Sequence, residues 1–172
     1  MVWNKSLQRG TVHKIDIGFW NTYYSFLQLG HKVHFYDTTS PPDKSLTNIV
    51  DSFKPDLIYC CMTGDTSLTP HEPWEEMGRC KTFNWFCDDT WRFDSFSSKV
   101  CNFFHVCSTV EVDYLEKFKE IGYDNIIHSM WHTNLDFYPK VSTKDIDVSF
   151  CGIPNFERQS LTNALAREGL SV

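Results

Sequence analysis

The segment SLTNIVDSFKPDLIYCC, residues 45–61, decides the fold. Leu46, Ile49, Val50 and Phe53 recur at three-and-four spacing behind Ser45, which predicts a helix with one apolar face. Pro55 and Asp56 interrupt it, and Leu57-Ile-Tyr-Cys-Cys61 follows as a short unbroken apolar run, as expected of a strand covered on both faces. A helix feeding such a strand is the repeating unit of a parallel α/β sheet.

The alternation continues in both directions. Residues 15–29 place Phe19, Trp20, Tyr23, Tyr24, Phe26 and Leu27 at helical spacing, with Gly30 as the left-handed stop. Residues 32–36 read as a strand, broken by the turn-rich stretch 38–42. On the carboxyl side, 63–73 is loop by composition and 74–77 a short helical piece closing at Gly78. Residues 81–86 form a strand ended by Asp88 and Asp89, 91–99 one or two helical turns, and 102–106 the next strand. Ser108-Thr-Val-Glu111 reads as a capping box that opens a helix through Leu115, Phe118 and Ile121 to Gly122. A short strand is expected at 125–128, loop at 131–138, a linker at 139–144, a strand at 146–151 and a helix at 158–168 ending at Gly169. Only Val2 and Trp3 precede the first helix as strand material, and 170–172 begins another strand. The expectation is a Rossmann-like parallel sheet flanked by helices over residues 1–140, followed over 141–172 by a linker and the first β-α unit of a second, truncated domain.

At 172 residues the chain is long enough for a substantial core, and 41% hydrophobic with 22% charged residues is ordinary for a folded domain. The net charge of -6 has the wrong sign for neutralising a nucleic-acid backbone or a polybasic membrane contact. No apolar run approaches the roughly 18 residues of a membrane span, and mean hydropathy is -0.36. Polar Asn4, Lys5 and Ser6 follow at once on the first three residues, which is unlike a signal peptide, so a cytoplasmic protein is expected. Seven cysteines, none in a C-x-x-C pair, read as free thiols packed as small hydrophobes.

The first loop lacks G-x-G-x-x-G, but Lys5, Arg9, Gly10, Thr11 and His13 supply positive and hydrogen-bonding groups where anions are favoured, between a first strand and a first helix. Asp88 and Asp89 follow a strand and so belong at the carboxyl edge of the sheet, where open α/β sheets bind ligands. They fit a sugar-hydroxyl acceptor, a general base or a hard-metal ligand, and equally a helix cap. Thr63 and Asp65, after the strand at 57–61, fit the same crevice. Trp91, Phe96 and Trp131 offer aromatic faces for a carbohydrate or a protein. His128 and His132 have the i, i+4 metal spacing, but on a strand followed by a loop that spacing does not bring both rings to one ion, so no metal site is expected.

These features together resemble the amino-terminal half of a GT-B glycosyltransferase, in particular the CgeB-like (spore maturation protein) and family-1/family-4-like enzymes. Leu27-Gln-Leu-Gly-His-Lys-Val-His-Phe-Tyr-Asp37 is similar to their L-x-x-x-G-H-x-V junction, and Asn84-Trp-Phe-Cys-Asp-Asp89 to the W-x-x-D-D edge. Gly122-Tyr-Asp-Asn125 resembles the G-x-x-N turn. Asp147-Val-Ser-Phe-Cys-Gly152 with Arg158 resembles the segment that opens the second domain. The resemblance implies transfer of a sugar from a nucleotide-sugar to a carbohydrate or other hydroxyl acceptor. This chain would hold the acceptor and the second domain the donor, so the chain alone needs no cofactor and performs no transfer. Asp88, Asp89 and His13 are then the candidate bases. Lys5, Arg9, Gly10, Thr11, Thr63, Asp65, Trp91, Trp131 and His132 are candidate acceptor contacts, and residues 146–169, an open strand and a helix without a partner domain, are expected to self-associate or to be locally disordered.

Overall fold

Ser45 adopts extended backbone, its hydroxyl accepts from the Asn48 amide at 3.3 Å, and helix α2 (Leu46–Phe53) follows. Lys54 closes that helix with a left-handed backbone, φ 51°, and its amide returns to the Val50 carbonyl. Strand β5 (Leu57–Cys60) comes next, as the apolar run predicts. The computed structural model describes residues 1–3, 6–9, 12–15, 17–37, 45–62, 78–138, 140, 143, 145–149 and 155–171. The expected short helix at 74–77 lies outside them.

Six strands form one all-parallel sheet in the order β4-β1-β5-β6-β7-β8. They are β1 (Val2–Trp3), β4 (Tyr36–Asp37), β5, β6 (Lys81–Phe86), β7 (Val106–Thr109) and β8 (Ile126–His128). The chain steps from β1 to β4 on one side and then crosses to β5 on the other, which puts the switch point between β1 and β5. Strand alternation divides β5 and β6 between two cores. Ile58, Cys60 and Phe86 pack with Leu46, Ile49 and Val50 of α2 and with Phe93 and Phe118. Tyr59, Phe83 and Trp85 face the opposite side, against Phe19, Trp20 and Tyr23 of helix α1 (Ile17–Gln28). The result is a Rossmann-like α/β sheet with helices on both faces.

Several boundaries differ from the sequence reading. The expected strand at 32–36 reduces to Tyr36–Asp37, because its ladder partner β1 pairs over two residues only. Of the stretch 9–13, expected as an open loop, Arg9 lies in β2 (Ser6–Arg9) and residues 12 and 13 in β3 (Val12–Ile15), an antiparallel pair with Arg9 opposite Val12. The turns expected at 91–99 extend into a longer helical stretch: α3 (Asp89–Arg92), a π turn (Phe93–Ser97), α4 (Ser98–Val100) and a 3-10 turn (Cys101–Phe103). Phe104 is buried in the core after that stretch, and the strand expected at 102–106 starts instead at Val106, opposite Phe83. Ser108 and Thr109 are therefore buried strand residues, and Ser108 cannot cap a helix. The Thr109 hydroxyl instead accepts from the Glu111 amide at 3.2 Å, and α5 (Tyr114–Glu120) begins behind Asp113 with no side-chain cap. Its end is as expected: Gly122 takes φ 85° and the Tyr123 amide reaches back to the Phe118 carbonyl at 2.9 Å.

The chain divides into compact units 1–134 and 135–172. In the second, α6 (Phe156–Arg167) is capped by Asn155, whose side chain accepts from the Arg158 amide at 2.8 Å. Residues 145–149 are not a strand. Asp147 and Val148 instead hydrogen-bond Ser171, including Val148 N–H to the Ser171 carbonyl at 3.1 Å; the rest of the expected strand, with Cys151, lies outside the described residues. Among the described residues no helix is long and apolar enough to cross a membrane.

Candidate functional site

The carboxyl ends of β6, β7 and β8 lie side by side, about 5 Å apart from strand to strand. The two carboxylates that follow β6 have opposite fates. Asp88 is half-exposed, and its carboxylate makes no cap hydrogen bond; the first turn is closed by the Asp88 carbonyl, which accepts from the Trp91 and Arg92 amides. The carboxylate lies 3.9 Å from Arg92 Nε, and the Arg92 guanidinium stacks 4.2 Å from the centre of the Trp91 ring, itself 64% exposed. The Cys87 thiol approaches Asp88 Oδ2 at 3.7 Å. A half-exposed carboxylate and an exposed indole thus flank a largely buried guanidinium.

Asp89 is 1% exposed, and no hydrogen bond of ordinary geometry reaches either carboxylate oxygen. Burial pushes its pKa up. The Ser97 and Thr109 side chains are near enough to temper the rise, while Glu111 and Asp88 add to it. Of the acidic pair, Asp89 is buried in the fold and Asp88 is the member open to solvent.

After β8 the chain returns across α1. Trp85 Nε1 donates to the Ser129 carbonyl at 3.3 Å, and the Trp131 ring, 58% exposed, stands edge-on to Trp85 with centroids 4.7 Å apart. His132 lies 5.5 Å from Trp85, and its Nε2 is 2.6 Å from Thr22 Oγ1. Thr22 Oγ1 also lies 2.9 Å from the Gly18 carbonyl, to which it can donate. Desolvation lowers the His132 pKa, which favours the neutral ring. Asn134 completes the strap: its amide donates to Asn21 Oδ1 at 2.8 Å and its Nδ2 to Gln28 Oε1 at 2.6 Å.

The structure therefore brings Trp131 and His132 together over Trp85, and Asp88 together with Trp91. Arg9 and His13 lie on β2 and β3, of which the backbone is described. Lys5, Gly10, Thr11, Thr63 and Asp65 lie outside the described residues. His128 Nε2 meets the Val110 carbonyl at 3.3 Å, so the two histidines of the i, i+4 pair have separate partners. Among the described residues no three metal-ligating side chains converge. The hydrogen-bonded state of His132 is the feature the sequence reading missed. Its signal was present in α1, where Asn21, Thr22, Ser25 and Gln28 form a polar stripe on an otherwise aromatic helix and so call for a polar partner.

No protein-family model, curated protein or solved structure matches the chain.

Proposed function

We propose that this chain is the acceptor-side part of a glycosyltransferase and that the carboxyl edge of its sheet holds a carbohydrate or other hydroxylated acceptor. The observation that carries this reading is His132, whose Nε2 meets Thr22 Oγ1 at 2.6 Å beside the exposed indole of Trp131, an arrangement that leaves Nδ1 for an acceptor when the ring proton is on Nε2. In this role Nδ1 takes the proton of the acceptor hydroxyl as the oxygen attacks the anomeric carbon of a nucleotide-sugar, and the nucleoside diphosphate leaves with the bonding pair. Asp88 accepts from ring hydroxyls, and the Trp91 and Trp131 faces stack on the apolar faces of the sugar. The nucleotide-sugar donor, by the sequence resemblance, belongs to the second domain.

Two measurements test the proposal. Tryptophan fluorescence of the chain, titrated with a panel of mono- and disaccharides, should saturate for at least one of them and lose that response in Trp131→Ala; a flat response across the panel overturns the acceptor site. In the complete enzyme, His132→Gln should slow nucleoside diphosphate release about 100-fold or more, the usual contribution of a positioned base. Unchanged turnover removes the base from His132. A second reading, a non-catalytic carbohydrate-binding module, rests on the exposure of Trp91 and Trp131. It gives the same fluorescence response with no nucleotide release from any longer form of the protein.

A further inference from the structure

At the opposite, amino edge of the sheet lies a cavity of about 450 Å³, within the range of small-molecule sites. Its interior walls are aliphatic and aromatic: Val2 of β1, Leu46, Ile49 and Val50 of α2, Ile58 of β5, and Phe53. Among the described residues no serine, threonine, asparagine or glutamine lines it, and Tyr36 and Tyr59 are the lining residues that carry a hydroxyl. The ionisable side chains that line it are, among the described residues, mostly basic: Lys32, Lys54, His31 and His34, against the carboxylate of Asp56. Lys32 Nζ lies 5.3 Å from the centre of the Phe53 ring, and the His34 ring is 5.5 Å from the same phenylalanine, so cationic and apolar surfaces meet at one wall. This local excess of basic groups occurs in a chain of net charge -6, where chance placement would favour acidic surroundings.

We propose that this cavity binds an amphiphilic carboxylate, with an aliphatic or aryl body against Ile49, Val50 and Ile58 and its anionic head between Lys32 and Lys54. The apolar walls supply the attraction for the body, since each buried methylene leaves water. The two ammonium groups select the head, because an anion entering a partly dry pocket needs charged donors in place of its water. The site is separate from the carboxyl edge and stands or falls independently of the glycosyl-transfer reading.

The test is calorimetric titration of the whole chain with decanoate, with decanol and decyltrimethylammonium as neutral and cationic counterparts. Decanoate should bind saturably at one equivalent, at least tenfold more tightly than either counterpart. The double variant Lys32→Glu with Lys54→Glu, both exposed positions, should weaken decanoate at least tenfold. Ile49→Phe, which fills the cavity, should weaken decanoate and decanol together. Absence of saturable decanoate binding overturns the proposal, as does equal affinity for the cationic counterpart or unchanged affinity in the double lysine variant. Circular dichroism of each variant establishes that it is folded, and the lysine variants decide the outcome should Ile49→Phe fail to fold.

Discussion

Helices α2 and α6 are built from the same local signals and end in different surroundings. Each begins behind a side chain that accepts a backbone amide, Ser45 at 3.3 Å and Asn155 at 2.8 Å, and each is followed by a residue of left-handed backbone, Lys54 or Gly169. Yet α2 buries Leu46, Ile49 and Val50, whereas α6 buries nothing, with Phe156 85% exposed and Leu161 61% exposed. Caps and terminators are satisfied within one turn of chain and need no neighbours. Burial requires a second surface, which β5 provides for α2. The carboxylates tell the same story. Asp89 in the first unit is walled in and its pKa rises, while Asp147 in the second is exposed and its pKa is lowered by hydrogen bonds from the backbone and hydroxyl of Ser171.

The largest effect that could break this comparison is in the apolar faces. Ile49→Ala should cost about 2–5 kcal/mol in denaturant unfolding, because the cavity it leaves is only partly closed by relaxation. Leu161→Ala should stay within about 0.5 kcal/mol, as an exposed substitution does. A loss at Leu161 matching that at Ile49, and growing with protein concentration, would mean that residues 146–169 find their covering surface in a second copy of the chain.

Asp89→Asn is the next largest. A carboxyl whose folded pKa is raised is penalised once the unfolded chain ionises, so stability falls as pH climbs through the ordinary aspartate value, about 3.9, and levels off above the folded value. The asparagine variant should therefore melt higher than the parent near neutral pH and alike near pH 3.5. Equal melting at both pH values would show that Asp89 carries no burial penalty.

Removing the caps should have a smaller effect. Ser45→Ala should lower global stability by about 1 kcal/mol. Asn155→Ala should speed amide exchange in the first turn of α6 and leave the melting of the first unit unchanged. If both lower global stability equally, the two units unfold as one.

The smallest effect belongs to Asp147. Its depressed pKa contributes stability above the ordinary aspartate value that is lost as pH falls through the folded one. Carboxyl NMR titration should place its midpoint below that of an unstructured aspartate, and Ser171→Ala should move it back up. No movement in Ser171→Ala would remove the hydrogen bonds as the cause.

The sequence by itself determined the α/β alternation, the positions of α1, α2, β5, β6 and β8, and the glycine stops at Gly30 and Gly122, because each rests on spacing or on a backbone angle that a few neighbouring residues set. It also placed Asp88 at a strand's carboxyl end and Trp131 after another. Only the tertiary structure decided that Ser108 and Thr109 belong to a strand rather than a cap, since the pairing of β7 with β6, residues distant in sequence, outweighs a local hydroxyl. It also decided that Asp88 faces outward while its neighbour Asp89 is buried, and that His132 meets Thr22, 110 residues away in the chain. The polar stripe on α1 signals that a partner is needed, but which residue supplies it depends on how strands stack and how a returning segment crosses a helix, quantities that no local run of residues encodes.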